Sequence, residues 1–295
     1  MMQTKRLAAI AVCAGFVLAL NACGTPPSPP GSPVLSPGRV AEIVASPDRS
    51  AADRTTDLRR MPEKMLTFIG VRPSMLALDL SAGGGYTTEL LSRAIGSGGM
   101  VYGQSQPRDP NRQPPSPAAP EGNSSPAPVP AAPVAQARAA GPRPSAVALA
   151  ERDKRLRDAG TQAAPIVAVE RRFEDPVPPE VASGRLDLVT LMFNYHDLGY
   201  LGVDRAKMNQ AVFRALKPGG IYVIADHAGR PGTGISESGT LHRIEENFLR
   251  KEVEAAGFRL SAQGDFLRNP ADPRDRNTPS PAQPKDEFVL KFVKP

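Results

Sequence analysis

Cysteine is almost absent from this 295-residue chain, with only Cys13 and Cys23. Cys13 lies inside an apolar run and reads as one more small hydrophobe. Histidine is nearly as scarce: His196, His227 and His242 are the three. Their spacing matches no zinc pattern, so no metal is expected. The chain also lacks any block of five or six basic residues and any basic stripe interleaved with aromatics, although its formal charge is +6. A nucleic-acid partner therefore has little support. The one long N-terminal apolar run, Leu7–Leu20, is too short to span a bilayer comfortably.

What the N-terminus does contain is the pattern of an export signal. Lys5 and Arg6 precede the apolar run, which has the length of a signal-peptide core. Leu20-Asn-Ala-Cys23 follows and resembles the bacterial lipobox, which implies cleavage before Cys23 and lipid attachment to its thiol. With Cys23 acylated, no free thiol and no disulfide remain. Residues 1–22 are then a signal peptide. Two or three acyl chains on Cys23 anchor stably, where one would not. By resemblance to other lipoproteins, Gly24 implies the outer membrane, facing the periplasm.

Proline is frequent, at 33 residues, and clusters in two places. Residues 23–50 read as the lipidated cysteine and an extended tether. Residues 107–145, rich in Pro, Ala, Ser and Arg, cannot bury enough apolar surface to offset their ordering entropy and are expected to be disordered. They interrupt a folded domain over 51–295.

The domain carries its clearest signal at Met75–Leu91. A short apolar run ends in Asp79, then Gly83, Gly84 and Gly85 follow, and a helical pattern begins near Thr87. Glycines permit positive φ and close approach of a ligand. A helix start adds free N–H groups. Further strands are predicted at Met100–Gly103, Ile166–Val169, Leu186–Phe193, Ile221–Ala225, Phe258–Gln263 and Glu287–Val293. Helices are predicted at Pro62–Ile69, Val147–Ala159, Asp204–Leu216 and Glu245–Ala256. This order gives an α/β, Rossmann-like, doubly wound and mostly parallel seven-stranded sheet with an antiparallel edge.

The glycine turn lacks the third glycine of the dinucleotide fingerprint, which disfavours a dehydrogenase. Asp79-Leu-Ser81-Ala-Gly83-Gly-Gly85 resembles instead the first motif of class I S-adenosylmethionine-dependent methyltransferases, with Ser81 where that motif has glycine. Ala215-Leu-Lys-Pro-Gly-Gly-Ile-Tyr-Val-Ile224 and Glu254-Ala-Ala-Gly-Phe258 resemble later segments of the same family, in the same order. More narrowly, Leu191–Leu198, Leu241–Ile244 and Phe288–Phe292 look like a group of bacterial predicted methyltransferases, many with signal sequences. The resemblance implies S-adenosylmethionine as cofactor. It places Asp79 at the ammonium of the amino-acid tail, and Ser81, Gly83 and Gly85 along the methionine and ribose. An acid is expected at the end of the second strand, yet Gln104 and Ser105 stand there. Ser105 or Gln104 would bond the ribose more weakly than a charge. Asp175, ahead of Glu174, is the candidate for the adenine amino group.

Asn194-Tyr195-His196-Asp197 follows the fourth strand, where the ligand crevice of such sheets opens. Asn194 would fix the methionine part or the substrate, and His196 would accept a proton from the acceptor. Asp197 would orient the imidazole or cap the next helix. Tyr195, His227, His242 and Arg243 are candidates for the acceptor pocket, with Arg243 suited to a carboxylate or phosphate. A small-molecule acceptor is expected; the oligomeric state is not legible. The competing reading is a lipid-anchored scaffold that keeps the fold without turnover.

Overall fold

The computed structural model describes residues 33–107, 143–277, 279 and 283–295. The predicted signal peptide, Cys23 and nearly all of the insert lie outside the described residues.

Three helices precede the sheet: α1 (Pro37–Ala45), α2 (Ala51–Arg60) and α3 (Pro62–Ile69). Within the expected tether over 23–50, residues 37–45 form helix α1, and residues 23–32 lie outside the described residues. Ser36 accepts a hydrogen bond from the Arg39 N–H, and Pro37 occupies the first turn, where no N–H is needed. Val40 and Ile43, three residues apart, bury one face in the cluster that holds Leu66 and Ile69. Proline and serine there start a helix, and composition alone does not distinguish a helix start from coil. Ser50 caps α2 in the same way, through the Asp53 N–H.

The sheet has seven strands: β1 (Leu76–Leu80), β2 (Met100–Ser105), β3 (Ile166–Glu170), β4 (Leu186–Met192), β5 (Leu216–His227), β6 (Arg259–Gly264) and β7 (Glu287–Val293). Their order is β3-β2-β1-β4-β5-β7-β6. The first five run parallel, and β7 lies antiparallel between β5 and β6. This is the fold class the sequence predicts. Helices α4 (Tyr86–Ile95), α5 (Ser145–Asp158), α6 (Asp197–Tyr200), α7 (Arg205–Ala215) and α8 (Glu246–Ala255) complete it. Strand β5 starts earlier than predicted: Leu216 pairs with Leu186, Lys217–Gly220 loop out, and Ile221 rejoins at Leu188.

Side chains alternate between two cores, as the two-residue strand period requires. Leu78, Val189, Tyr222 and Ile224 pack under Met208 and Val212 of α7 and Leu249 and Val253 of α8. Ala77, Leu188, Val223 and Val289 pack under α1, α3 and α4. Covering on both faces explains why the central strands read as continuous apolar runs. No described helix is long and apolar enough to cross a membrane. The order reverses between β1 and β4, and that switch point aims the glycine turn and the β4 terminus at one crevice.

Candidate functional site

The glycine turn is built by its neighbours. Ser81 takes φ 55°, and its N–H donates to Gln104 Oε1 at 3.0 Å. Gln104 Nε2 donates onward to the Arg171 carbonyl at 2.6 Å, so this buried amide is spent on holding the turn. Gly85 takes φ 80°, and a Cβ there would strike Leu149 and Arg152 of α5 at 2.8 Å. Gly84 differs: an added Cβ meets nothing within 4 Å. Gly83 and Gly85 thus serve the backbone and packing, while Gly84 leaves room for a ligand. Helix α4 begins directly after, with Gly85 at its N-cap and so no cap from that residue's side chain.

Asp79 does not present itself to this space. It is 2% exposed. Its two oxygens accept from Thr88 Oγ1 at 2.6 Å and Thr190 Oγ1 at 2.8 Å. Burial pushes its pKa up to about 6, against those two hydrogen bonds. It ties β1 to β4 and α4, and so positions the turn from beneath. Ser105 is half-buried at the end of β2, opposite Glu170. Asp175 is exposed and pairs with Arg171, and Glu174 pairs with Arg172.

Helix α2, which sequence reasoning did not associate with the site, lies across the turn. Arg152 on α5 donates to the Gly84 carbonyl at 2.5 Å, to both oxygens of Asp53 on α2, and to Glu89 on α4. Asp57 accepts from the Tyr86 hydroxyl at 2.7 Å. The Arg60 guanidinium stacks 3.5 Å over the Phe193 ring. Arg60, α3, Tyr86 and Phe193 enclose a cavity of about 20 Å³, room for about one water molecule.

The second half of the site lies at the ends of β4 and β5. Phe193 takes φ 58°, a left-handed turn that a bulky residue rarely adopts, and it throws Asn194–Asp197 across the sheet edge. His196 is buried; its N–H donates to Asp226 Oδ2 at 2.8 Å, and its Nδ1 lies 2.6 Å from Asp226 Oδ1. Its Nε2 stands 3.0 Å from Asp197 Oδ1. His242 Nδ1 reaches the same oxygen at 3.0 Å. Asn194 Nδ2 donates to the other, Asp197 Oδ2, at 2.8 Å. Burial opposes charge on His196, yet Asp226 and Asp197 outweigh it and raise its pKa to about 9. Burial likewise opposes charge on Asp197, and the two imidazoles hold its pKa below the ordinary value. Both ring nitrogens of His196 thus face carboxylates.

His227 packs between Phe193 and His196, with ring centroids 5.6 and 5.3 Å away. Burial holds its imidazole well below the usual pKa. Its Nδ1 lies 2.9 Å from Glu287 Oε1, without the alignment of a hydrogen bond. Arg59 pairs with that oxygen at 2.7 Å.

Two expected pocket residues turn inward. Tyr195 is fully buried; its hydroxyl lies 3.0 Å from Glu252 Oε2 and accepts from Asn209 Nδ2 at 2.9 Å, joining α7 to α8. Arg243 is also fully buried; it donates to the carbonyls of Ala228 and Arg276 and pairs with Asp272 at 2.9 Å. Neighbours along a chain point apart, so His242 at the crevice sends Arg243 into the protein. Asp226 was missed: it ends the buried strand Ile221–Ala225 and carries no motif of its own.

No family model and no curated protein matches the chain. Among solved structures, a SAM dependent methyltransferase from Aquifex aeolicus is similar with a TM-score of 0.50 and 16% identity, over 88% of this chain and 98% of that one. The arsenic (III) S-adenosylmethionine methyltransferase of Chlamydomonas reinhardtii is similar with a TM-score of 0.50 and 16% identity, over 88% of this chain and 75% of that one. Identities this low establish architecture alone, and the architecture is the Rossmann-like fold of class I S-adenosylmethionine-dependent methyltransferases.

Proposed function

We propose that this chain is an S-adenosylmethionine-dependent methyltransferase acting on a small-molecule acceptor. The observation that carries the proposal is the glycine turn at the β1/β4 switch point, open at Gly84 and leading into a helix whose N-cap is glycine. Ser81, Gly83 and Gly85 would hold the cofactor along the turn, and Ser105 would reach its ribose. Asp79 would act through the turn, since its own oxygens are engaged by Thr88 and Thr190. Bound there, the cofactor supplies an electrophilic methyl carbon on a sulfonium. Asn194, His227 and His242 would orient the acceptor in line with it, and Phe193 with Arg60 would exclude water. Asp175, exposed and paired with Arg171, would reach an adenine only by leaving that pair.

Calorimetric titration of S-adenosylmethionine and its demethylated product into the full chain tests this. Micromolar binding is expected. Gly84→Val should weaken it about 100-fold or more without changing thermal unfolding, because the added side chain enters open space. The scaffold reading is favoured by one observation: the end of β2 offers Gln104 and Ser105 where an acid would grip the ribose. Absence of binding by a cooperatively unfolding wild type would decide for it.

We also propose export as a lipoprotein anchored through Cys23 to the outer membrane, a reading supported by Lys5-Arg6, the apolar run and the lipobox-like Leu20–Cys23. Palmitate labelling of the expressed chain should disappear in Cys23→Ser. Persistent label would overturn the proposal.

A further inference from the structure

We propose that His196, Asp197 and His242 form a binding site for a divalent transition-metal cation at the carboxyl end of β4. The site rests on its own ligands and stands whether or not methyl transfer is the activity. The ligand atoms of the three residues all lie within 4.8 Å of one another. Asp197 Oδ1 is 3.0 Å from His196 Nε2 and 3.0 Å from His242 Nδ1. Around a tetrahedral ion with bonds of about 2.0–2.2 Å, ligand atoms stand roughly 3.3–3.6 Å apart. A few tenths of an ångström brings each imidazole nitrogen to that distance from Asp197 Oδ1, and the two imidazole nitrogens lie within 4.8 Å of each other. The His196 and His242 rings lie 5.6 Å apart and perpendicular, an arrangement in which two imidazoles present one nitrogen each to a shared centre.

The surroundings point to a ligand as well. Metal-bound imidazoles donate their second ring nitrogen to a carboxylate or carbonyl, which fixes tautomer and orientation. Asp226, fully buried, stands 2.6 Å from His196 Nδ1 and leaves Nε2 to face Asp197 and His242. Asn194 orients the carboxylate through Asp197 Oδ2. The buried Asp226 and the partly buried Asp197 bring two negative charges to the position a dication would take. Two nitrogens and one oxygen suit zinc, cobalt or iron(II) better than magnesium or calcium, which prefer oxygen alone. Asp197 and His242 remain 20% and 33% exposed, so one side of the centre stays open to a water or to an oxygen of a substrate. The sequence concealed the site because 45 residues separate Asp197 from His242, a spacing that no zinc pattern includes.

Titration of Co²⁺ alone into the untagged full chain, followed by visible absorption, reads the site directly. One equivalent should bind and produce the d–d bands of nitrogen- and oxygen-coordinated cobalt. Excess Zn²⁺ should bleach them. His242→Ala removes a partly exposed ligand and should abolish the bands while leaving thermal unfolding unchanged. Asn194→Ala should weaken Co²⁺ about 10-fold. His227→Gln, whose ring lies outside the triad, should retain the spectrum. Absence of bands in the wild type, or bands of equal intensity in His242→Ala, would overturn the proposal, since the first denies a site and the second places the metal elsewhere.

Discussion

Asp79 pairs a demand for position with a cost in charge. Its two threonine hydrogen bonds lock the start of the glycine turn, yet complete burial raises its pKa from 3.8 to about 6. In the unfolded chain the group ionises near its ordinary value, so between these two pH values the folded state binds more protons. Stability must then fall as pH rises through that window. Above it the loss is roughly 3 kcal/mol. Asp79→Asn keeps a polar partner for both threonines and removes the titration. His227, held well below its usual pKa, and the other titrating groups act equally in both proteins, so the urea midpoint of the wild type relative to the variant, measured without cofactor at each pH, should fall between pH 4 and pH 7. The residue scale also shows where sequence reading stops. Asp79 was legible as the acid that precedes the glycine turn, because it stands near the end of an apolar strand. That its oxygens face Thr88 and Thr190 was not legible, since Thr190 belongs to a strand 111 residues away.

Between elements, the cation of greatest consequence is Arg152. It joins α5 to α2 through Asp53, to α4 through Glu89 and to the glycine turn through the Gly84 carbonyl. Asp53 is 5% exposed, so removing Arg152 leaves a buried carboxylate with only Ser50 and the more distant charge of Arg49 to compensate it. Arg152→Leu is expected to cost about 3 kcal/mol, read as a lower urea midpoint with an unchanged slope. Arg152→Lys should not restore it, because a point charge cannot span the two Asp53 oxygens and the Gly84 carbonyl together. Most elements were readable, although α2 and the single turn α6 were not. The predicted bounds of α3 and β7 agree with the structure, and those of β2 and β3 differ by one or two residues. Strand and helix periods are local properties of the chain. Helix α1 escaped because a short amphipathic stretch between prolines carries too little periodic signal to outweigh its composition.

The whole molecule depends on its last segment. Strand β7 enters between β5 and β6, so it completes the hydrogen-bond ladders of both. Phe288, Leu290 and Phe292 fill one core and Val289 the other. Truncation after Pro284 should abolish cooperative unfolding by circular dichroism, whereas removal of a peripheral strand would only lower the midpoint. A variant that still unfolds in a single sharp transition would contradict this. The sequence by itself determined the order of the strands, the glycine turn and the crevice at the ends of β1 and β4, because each is written in contiguous residues and short-range backbone preference. Only the tertiary structure decided which side chains meet there. It turned Tyr195 and Arg243 into the core, brought Asp226 beneath His196 and set His242 beside Asp197. Those encounters depend on how crossover connections return the chain to one edge of the sheet, and no local pattern encodes that return.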